Sequence, residues 1–273
     1  PPPFLNTESR LPPPQNSQSG GPPTMRCKTT LTLALLASLS LPLGAMGTIY
    51  AQDDKVPTVE EPETEVEFPI SLIVLPKTEK RKEVKHDLSG MGVRVKTKFF
   101  MDFEVYALGF YMDEERGLAA LKEPAANLSV SKLEESKEFR KALLGDGFGK
   151  TMRLVMVRDV DADDMAEAFD DVLWPRMKDR SEGEKELSAA KIALKKFKDL
   201  FEKEAEEDQV LDFTWIPGGE MYAVVDGKRH PVVKSAALCW ALFDAFVGDD
   251  PISKDAKENI FTALREKLHP ATR

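Results

Sequence analysis

The sequence predicts an α+β fold, an antiparallel sheet covered by helices. Three observations carry this. Strand-like runs come as hairpins at the start of the fold and again near residue 215. A single strand stands between helical patterns at about residue 154, so no βαβαβ array of parallel strands is formed. One long segment, Val93–Met112, alternates at first and then becomes apolar on both faces, as a strand does on passing from an edge into an interior.

The elements follow in order. Val66–Leu75 is apolar and β-branched and opens the sheet. Lys77–Lys85 is charged, a turn or exposed hairpin. In the long segment the odd positions run Phe99, Met101, Phe103, Val105, Ala107. The even positions begin Phe100, Asp102, Glu104 and continue Tyr106, Leu108, Phe110, Met112. Tyr106 is therefore the first even-face residue inside the boundary. A helical region is expected over Leu133–Leu144 and a strand over Thr151–Val157. Asp161 can cap a helix whose apolar positions are Met165, Phe169, Val172, Leu173 and Met177. Leu187, Ala190, Leu194, Phe197 and Phe201 keep helical steps, with lysines on the other face. Val210–Trp215 and Glu220–Val225 are two strands joined around Pro217-Gly218-Gly219, with a turn signal at Asp226-Gly227. Ala236–Val247 is apolar almost all round, which argues a buried helix. Ser253 caps the last helix, on which Ala256, Ile260, Leu264 and Leu268 form one stripe.

Four segments precede or make up the fold. Residues 1–24 are rich in Pro, Ser, Gln and Gly and read as a disordered leader. Residues 25–51 have the pattern of a signal peptide: Arg26 and Lys28, then the apolar Leu31–Leu43, then a cleavage site at Ala51 before Gln52. The apolar stretch is short for a membrane span and is broken at Pro42 and Gly44. An exported protein, periplasmic or secreted and without a membrane span once mature, is expected. Residues 52–65 are an acidic linker, and 66–268 form one domain without internal repeat.

Composition removes several classes of function. There are 38 Lys and Arg against 47 Asp and Glu, a formal charge of −9, with no long basic block. Such a chain lacks the clustered positive surface that nucleic acid requires. Two cysteines, Cys27 and Cys239, exclude a disulfide scaffold and a standard cysteine zinc site. Cys27 leaves with the signal, and Cys239 lies in an apolar run as a buried free thiol. His86, His230 and His269 are far apart, and no metal or other cofactor is expected. Asp159, Asp161, Asp163 and Asp164 resemble a calcium loop but lack its glycine and its closing Glu, and a helix N-terminus explains them. The run Gly145–Lys150 has glycines and a lysine, at the wrong spacing for a phosphate loop.

One motif keeps two readings. Gly90-Met-Gly92-Val-Arg94 lacks the third glycine of a dinucleotide fingerprint. Its glycines suit a tight approach of backbone to backbone or to a ligand. Arg94 is either an exposed strand arginine or a guanidinium aimed at an anion in a cleft, where its planar fork can hold a carboxylate.

Val66–Pro69, Gly90–Arg94, Val105–Tyr111, Phe148–Asp161, Ile216–Gly227 and Ser235–Ile252 together resemble, in this order, chalcone isomerase-like domains. The resemblance runs over about residues 66–266. It implies the chalcone isomerase fold, an open-faced β-sandwich with a large antiparallel sheet, a helical layer and a small-molecule cleft between. In the plant enzymes that cleft closes a chalcone to a flavanone. An Arg positions the phenolate, and a Thr and a helix Tyr hold the ketone through water, which is oxyanion stabilisation in a dry site. The Arg corresponds to Arg94 and the Thr to Tyr106. The helix Tyr falls near Met165, where no Tyr is found, and the following Asn has no counterpart among Phe169–Leu173. The fatty-acid-binding members hold a carboxylate with an Arg and a Tyr at the first two positions, and Arg94 with Tyr106 matches that pair.

The expectation is thus an exported binder of a small apolar acid, a fatty acid above all. Arg94 and Tyr106 would clamp its carboxylate, and Leu108, Phe110, Met165 and Phe169 would line the tail; these four serve equally well as plain core. An active isomerase, with Arg94 catalytic and a flavonoid-like ligand, is the first alternative. A structural or partner-binding domain without ligand is the second. The oligomeric state is not legible in the sequence.

Overall fold

The computed structural model describes residues 56–75, 82–98, 100–201 and 203–270, so the expected leader 1–24 and signal 25–51 lie outside the described residues. The sheet is built on a long antiparallel hairpin of β4 (Val84–Lys98) and β5 (Met101–Met112). Strand β3 (Ser71–Leu75) adds to β4, and β6 (Lys150–Met156) adds to β5. Next come β7 (Val210–Ile216), β8 (Glu220–Val225) and β10 (Val233–Lys234), while β9 (Lys228–Arg229) turns back on β8. Every pairing is antiparallel. The Arg229 side chain near one edge donates to the Val74 carbonyl of β3 at the other, 2.7 Å away, so the sheet curls on itself.

Apart from this sheet, β1 (Thr58–Glu60) pairs with β2 (Glu67–Pro69). The stretch 52–65, expected as a linker, therefore contains a strand. Glu61 closes the connection. Its buried carboxylate accepts from the Glu63 and Thr64 backbone N–H groups at 3.1 and 3.0 Å, and from the Thr64 hydroxyl at 2.8 Å.

Seven helices lie among the described residues: α1 (Glu114–Leu121), α2 (Val130–Glu135), α3 (Lys137–Leu143), α4 (Ala162–Asp179), α5 (Gly183–Lys198), α6 (Ala236–Val247) and α7 (Lys254–Leu268). The single helical region expected at Leu133–Leu144 is two helices. Ser136 ends α2, and its hydroxyl accepts from Phe139 N–H to start α3. Helix α1 is only eight residues long and its apolar side chains are bunched at Leu118–Leu121, which hides a helical period; it begins on Asp113, which accepts from Arg116 N–H.

The helices cover one face of the sheet. On β5 the residues are exposed or half-buried up to Val105 and buried from Tyr106 to Met112, the boundary that the alternation predicts. Tyr106, Leu108, Phe110 and Met112 belong to the large core with α4, α5, α6 and α7. Ala107 and Tyr111 point the other way, into a smaller cluster with Phe68, Leu72 and Val155.

That second face also buries a polar chain. His86 Nδ1 lies 2.8 Å from Thr151 Oγ1, which lies 2.8 Å from Thr214 Oγ1. Its other nitrogen, Nε2, is buried with no partner among the described residues. Burial, helped by the charge of Lys150, pushes the imidazole down to about 4. The unfolded chain keeps an imidazole near 6.5, so between these values it binds more protons than the folded protein. Stability from this source is complete above about pH 6.5 and falls as pH is lowered towards 4. Denaturant titrations from pH 7 to 4 should show this loss, at most about 1.4 kcal/mol per pH unit. His86→Gln should flatten that part of the profile. An unchanged slope would contradict the burial of a neutral imidazole.

Candidate functional site

The GMGVR stretch lies on β4 beneath α7. A Cβ on Gly90 would stand 2.6 Å from Ile260 Cα, and one on Gly92 would stand 2.6 Å from Ala256 Cα. No other residue fits, so these glycines serve a close approach of backbone to backbone. The helix is tied to the strand at its start. Ser253 Oγ donates to the Val93 carbonyl at 2.8 Å and also accepts from Ala256 N–H, the cap anticipated from the sequence.

Arg94 and Tyr106 stand directly opposite each other on β4 and β5, so their side chains leave the sheet on the same face. This depends on two irregularities. Leu88 pairs with Tyr111, whereas Met91 pairs with Gly109, so β4 holds an extra residue in the region of Ser89 and Gly90. Gly90, at φ 149°, supplies a backbone conformation that L side chains rarely adopt. Arg94 pairs with Tyr106 and Val95 with Glu104, so β5 holds an extra residue at Val105. The two bulges compensate. Between them the register is offset by one residue, and without them Arg94 would face Val105.

The half-buried Arg94 side chain donates from Nη1 to its neighbour Val95 O at 2.8 Å and to Ile252 O. Its Nε and Nη2 groups donate to no described residue, and no described carboxylate pairs with it. Tyr106 is 7% exposed, and its hydroxyl has no hydrogen-bond partner among the described residues. Burial raises its pKa, outweighing the opposing charge of Arg94, so the phenol stays protonated and able to donate. Its ring meets Phe246 of α6 edge-on at 6.5 Å.

The remaining sequence candidates share the large core but not one contact. Leu108, opposite Gly92, is fully buried. Phe110, equally buried, meets the Phe243 ring at 6.3 Å. Met165 and Phe169 project from α4, and Phe169 packs in a ring cluster with Phe197, Phe201 and Phe213.

The sequence did not reveal what holds Arg94. The connection from α6 to α7, residues 248–252, is gripped by four cations. Lys257 donates to Gly248 O at 2.8 Å, Arg140 pairs with Asp249, Arg176 donates to Asp250 O, and Arg94 donates to Ile252 O. Cations gather where a helix ends in unpaired carbonyls. The one advance signal was the acidic pair Asp249-Asp250.

Lys150, from the glycine-rich run, is not presented to a phosphate. It is fully buried, donates to Gly145 O at 2.6 Å, and its ammonium lies 3.8 Å from the Trp215 ring centre and 4.4 Å from that of Phe148. Burial pushes it down to about 7. Asp146 of the same run accepts from Trp215 Nε1 and from Gly218 N–H, both at 2.7 Å. Cys239 is a buried free thiol, as expected.

The architecture is that of α+β proteins with a curled antiparallel sheet, helices packed on one face and an arginine–tyrosine pair on adjacent strands beneath them. The chain belongs to the chalcone isomerase-like family, whose model matches residues 70–261. It is 27% identical over 221 residues to fatty-acid-binding protein 1 of Arabidopsis thaliana, covering 80% of this chain and 73% of the relative. It is 26% identical over 204 residues to fatty-acid-binding protein 2 of the same plant, covering 73% of this chain and about half, 49%, of that longer protein. A crystal structure of an Arabidopsis thaliana fatty-acid-binding protein superposes with a TM-score of 0.63 at 25% identity, over 78% of this chain and 99% of the other.

The glycine packing can be tested. Gly92→Ala should cost about 1–3 kcal/mol of stability and disturb the Ser253 and Arg94 contacts to α7. Chemical denaturation measures it, and a variant as stable as the parent would contradict the close approach.

Proposed function

We propose that the protein binds an apolar carboxylic acid, a fatty acid by preference, between its sheet and its helical layer, with the carboxylate held by Arg94 and Tyr106. One observation carries this reading. Arg94 spends Nη1 on backbone carbonyls and keeps the Nε–Nη2 edge, the edge that pairs bidentately with a carboxylate. Tyr106 stands opposite with a protonated hydroxyl as second donor. The similarity to two fatty-acid-binding proteins supports the same class of ligand. Leu108 and Phe110 have no accessible surface and form the floor, whereas Met165 and Phe169 keep 4% and 7% and are the side chains against which the tail lies.

The isomerase alternative needs both ends of its substrate held. Positions 165 and 169–173 offer neither the Tyr nor the Asn that would complete the ketone side. Losing one well-placed oxyanion donor costs about 10²–10³ in rate. A fatty acid needs one polar end, because its tail binds through apolar burial.

Titration calorimetry with palmitate is the test. Arg94→Ala should weaken binding by about 10–100-fold, since a charge-assisted bond is lost. Tyr106→Phe should weaken it by about 2–10-fold, the scale of one neutral bond. Chalcone cyclisation should not exceed the spontaneous rate. Palmitate affinity unchanged in both variants would refute the clamp, and Arg94-dependent flavanone formation would favour the enzyme.

The reading includes export, with the mature chain starting near Gln52. N-terminal sequencing of protein from its native cells should find that start; residues 25–51 still attached would contradict it.

A further inference from the structure

The β4–β5 hairpin does not stop where its neighbours do. Strand β6 ends at Met156, opposite Tyr106, yet β4 and β5 continue pairing through Val95–Glu104, Lys96–Phe103, Thr97–Asp102 and Lys98–Met101. Four further pairs at about 3.3 Å per residue carry the tip roughly 13 Å beyond the Arg94–Tyr106 level. At the tip Phe100 is 103% exposed and Met101 57%. Phe100 also sits at φ 64°, a left-handed backbone that a bulky aromatic adopts at a cost. A soluble fold gains nothing from a strained, fully solvated Phe at the end of a projecting ribbon.

We propose that this tip is a membrane-docking element that inserts Phe100 and Met101 into a lipid bilayer surface. The proposal rests in part on the acid-binding reading, because a long-chain acid partitions into bilayers and its carrier must collect it there. Tyr106 lies on the strand that carries the tip, so the ribbon brings the clamp within reach of the lipid. The apolar area also suits this occupant. One exposed Phe offers about 150–250 Å², and with half a Met that falls well short of the roughly 800 Å² per partner of a stable protein interface. It matches shallow insertion of about 5–10 Å at the headgroup–acyl boundary.

Charge selects the kind of bilayer. At the base of the ribbon the loop after β6 carries Asp159 and Asp161, the first turn of α4 carries Asp163 and Asp164, and Asp159 accepts from Glu207 N–H, which brings Glu206, Glu207 and Asp208 alongside. Lys96 and Lys98 of the ribbon and Arg158 of the loop after β6 are outnumbered by these acids together with the ribbon's own Asp102 and Glu104. With the tip inserted by about 5–10 Å, this collar comes within about one Debye length of the surface, roughly 8 Å at physiological salt. A zwitterionic surface admits the tip, while an anionic one repels the collar.

The test uses the folded protein with phosphatidylcholine vesicles free of fatty acid. Phe100→Trp should be quenched by phosphatidylcholine brominated in its acyl chains, in excess of the quenching of the parent's own Trp residues. Replacing a third of the lipid by phosphatidylglycerol should reduce the effect several-fold, and added salt should restore it. In flotation the parent should rise with the vesicles and Phe100→Gly should not, although the glycine relieves the strained φ and should melt no lower than the parent. No excess quenching, or equal flotation of both proteins, would overturn the proposal. Concentration-dependent dimerisation abolished by Phe100→Gly, without vesicle binding, would overturn it in favour of a second copy. Arg94→Ala should still dock, so failure to bind palmitate and failure to bind vesicles are read separately.

Discussion

Helix α7 lies against β4 at a distance that side chains do not permit. Both Gly90 and Gly92 are needed for it, since each would drive a Cβ to 2.6 Å from a helix Cα. The site follows from this contact. Because the helix is so near, Ser253 can reach the Val93 carbonyl, and Arg94 can reach Ile252 at the end of the α6–α7 connection. The arginine is thereby held from one side, with its chain direction fixed and one edge left over. The same four-cation grip that anchors residues 248–252 thus orients the Arg94 guanidinium. Folding and the proposed recognition share one side chain.

The two faces of the sheet solve different problems. The helical face is nearly all apolar, and its polar exceptions, Arg94, Tyr106 and Lys150, are each beside either backbone carbonyls or aromatic rings. The opposite face carries His86, Thr151 and Thr214 in one hydrogen-bonded line, and the paired Arg153 and Asp212 at 2.7 and 2.8 Å. Curling brings its edges together through Arg229 and Val74, which shelters those groups without helices. Hydrogen bonds and an ion pair thus join side chains on this face, while His86 Nε2 and the Tyr111 hydroxyl are buried there with no partner among the described residues.

Much of this was legible in the residues. The alternation in Val93–Met112 located the buried boundary at Tyr106, because a half-wet strand must change its pattern where it enters a core. The apolar Ala236–Val247 gave a buried helix, and Ser253 gave the start of α7. The arginine and tyrosine were picked out by family resemblance and residue chemistry together. Less was visible where structure depends on contacts distant in sequence. The two readings of Gly90 and Gly92 could not be separated, since nothing local says that Ile260 and Ala256 lie above them. Ser136 dividing one helical pattern in two is a local competition between side chain and backbone that periodicity does not register. The strand at Thr58–Glu60 hid in an acidic stretch because its order comes from a carboxylate capping its own turn.

The paired bulges at Ser89–Gly90 and Val105 also bear on how such a hairpin withstands insertions and deletions over evolutionary time. Each adds one unpaired residue to one strand. A one-codon deletion at Val105 would bring Glu104 and Tyr106 next to each other, still opposite Val95 and Arg94. A one-codon deletion at Ser89 or Gly90 would likewise keep Leu88 opposite Tyr111 and Met91 opposite Gly109. Either loss straightens the ribbon and spares the facing of Arg94 and Tyr106. Bulges are thus the places where this hairpin can change length without parting the pair.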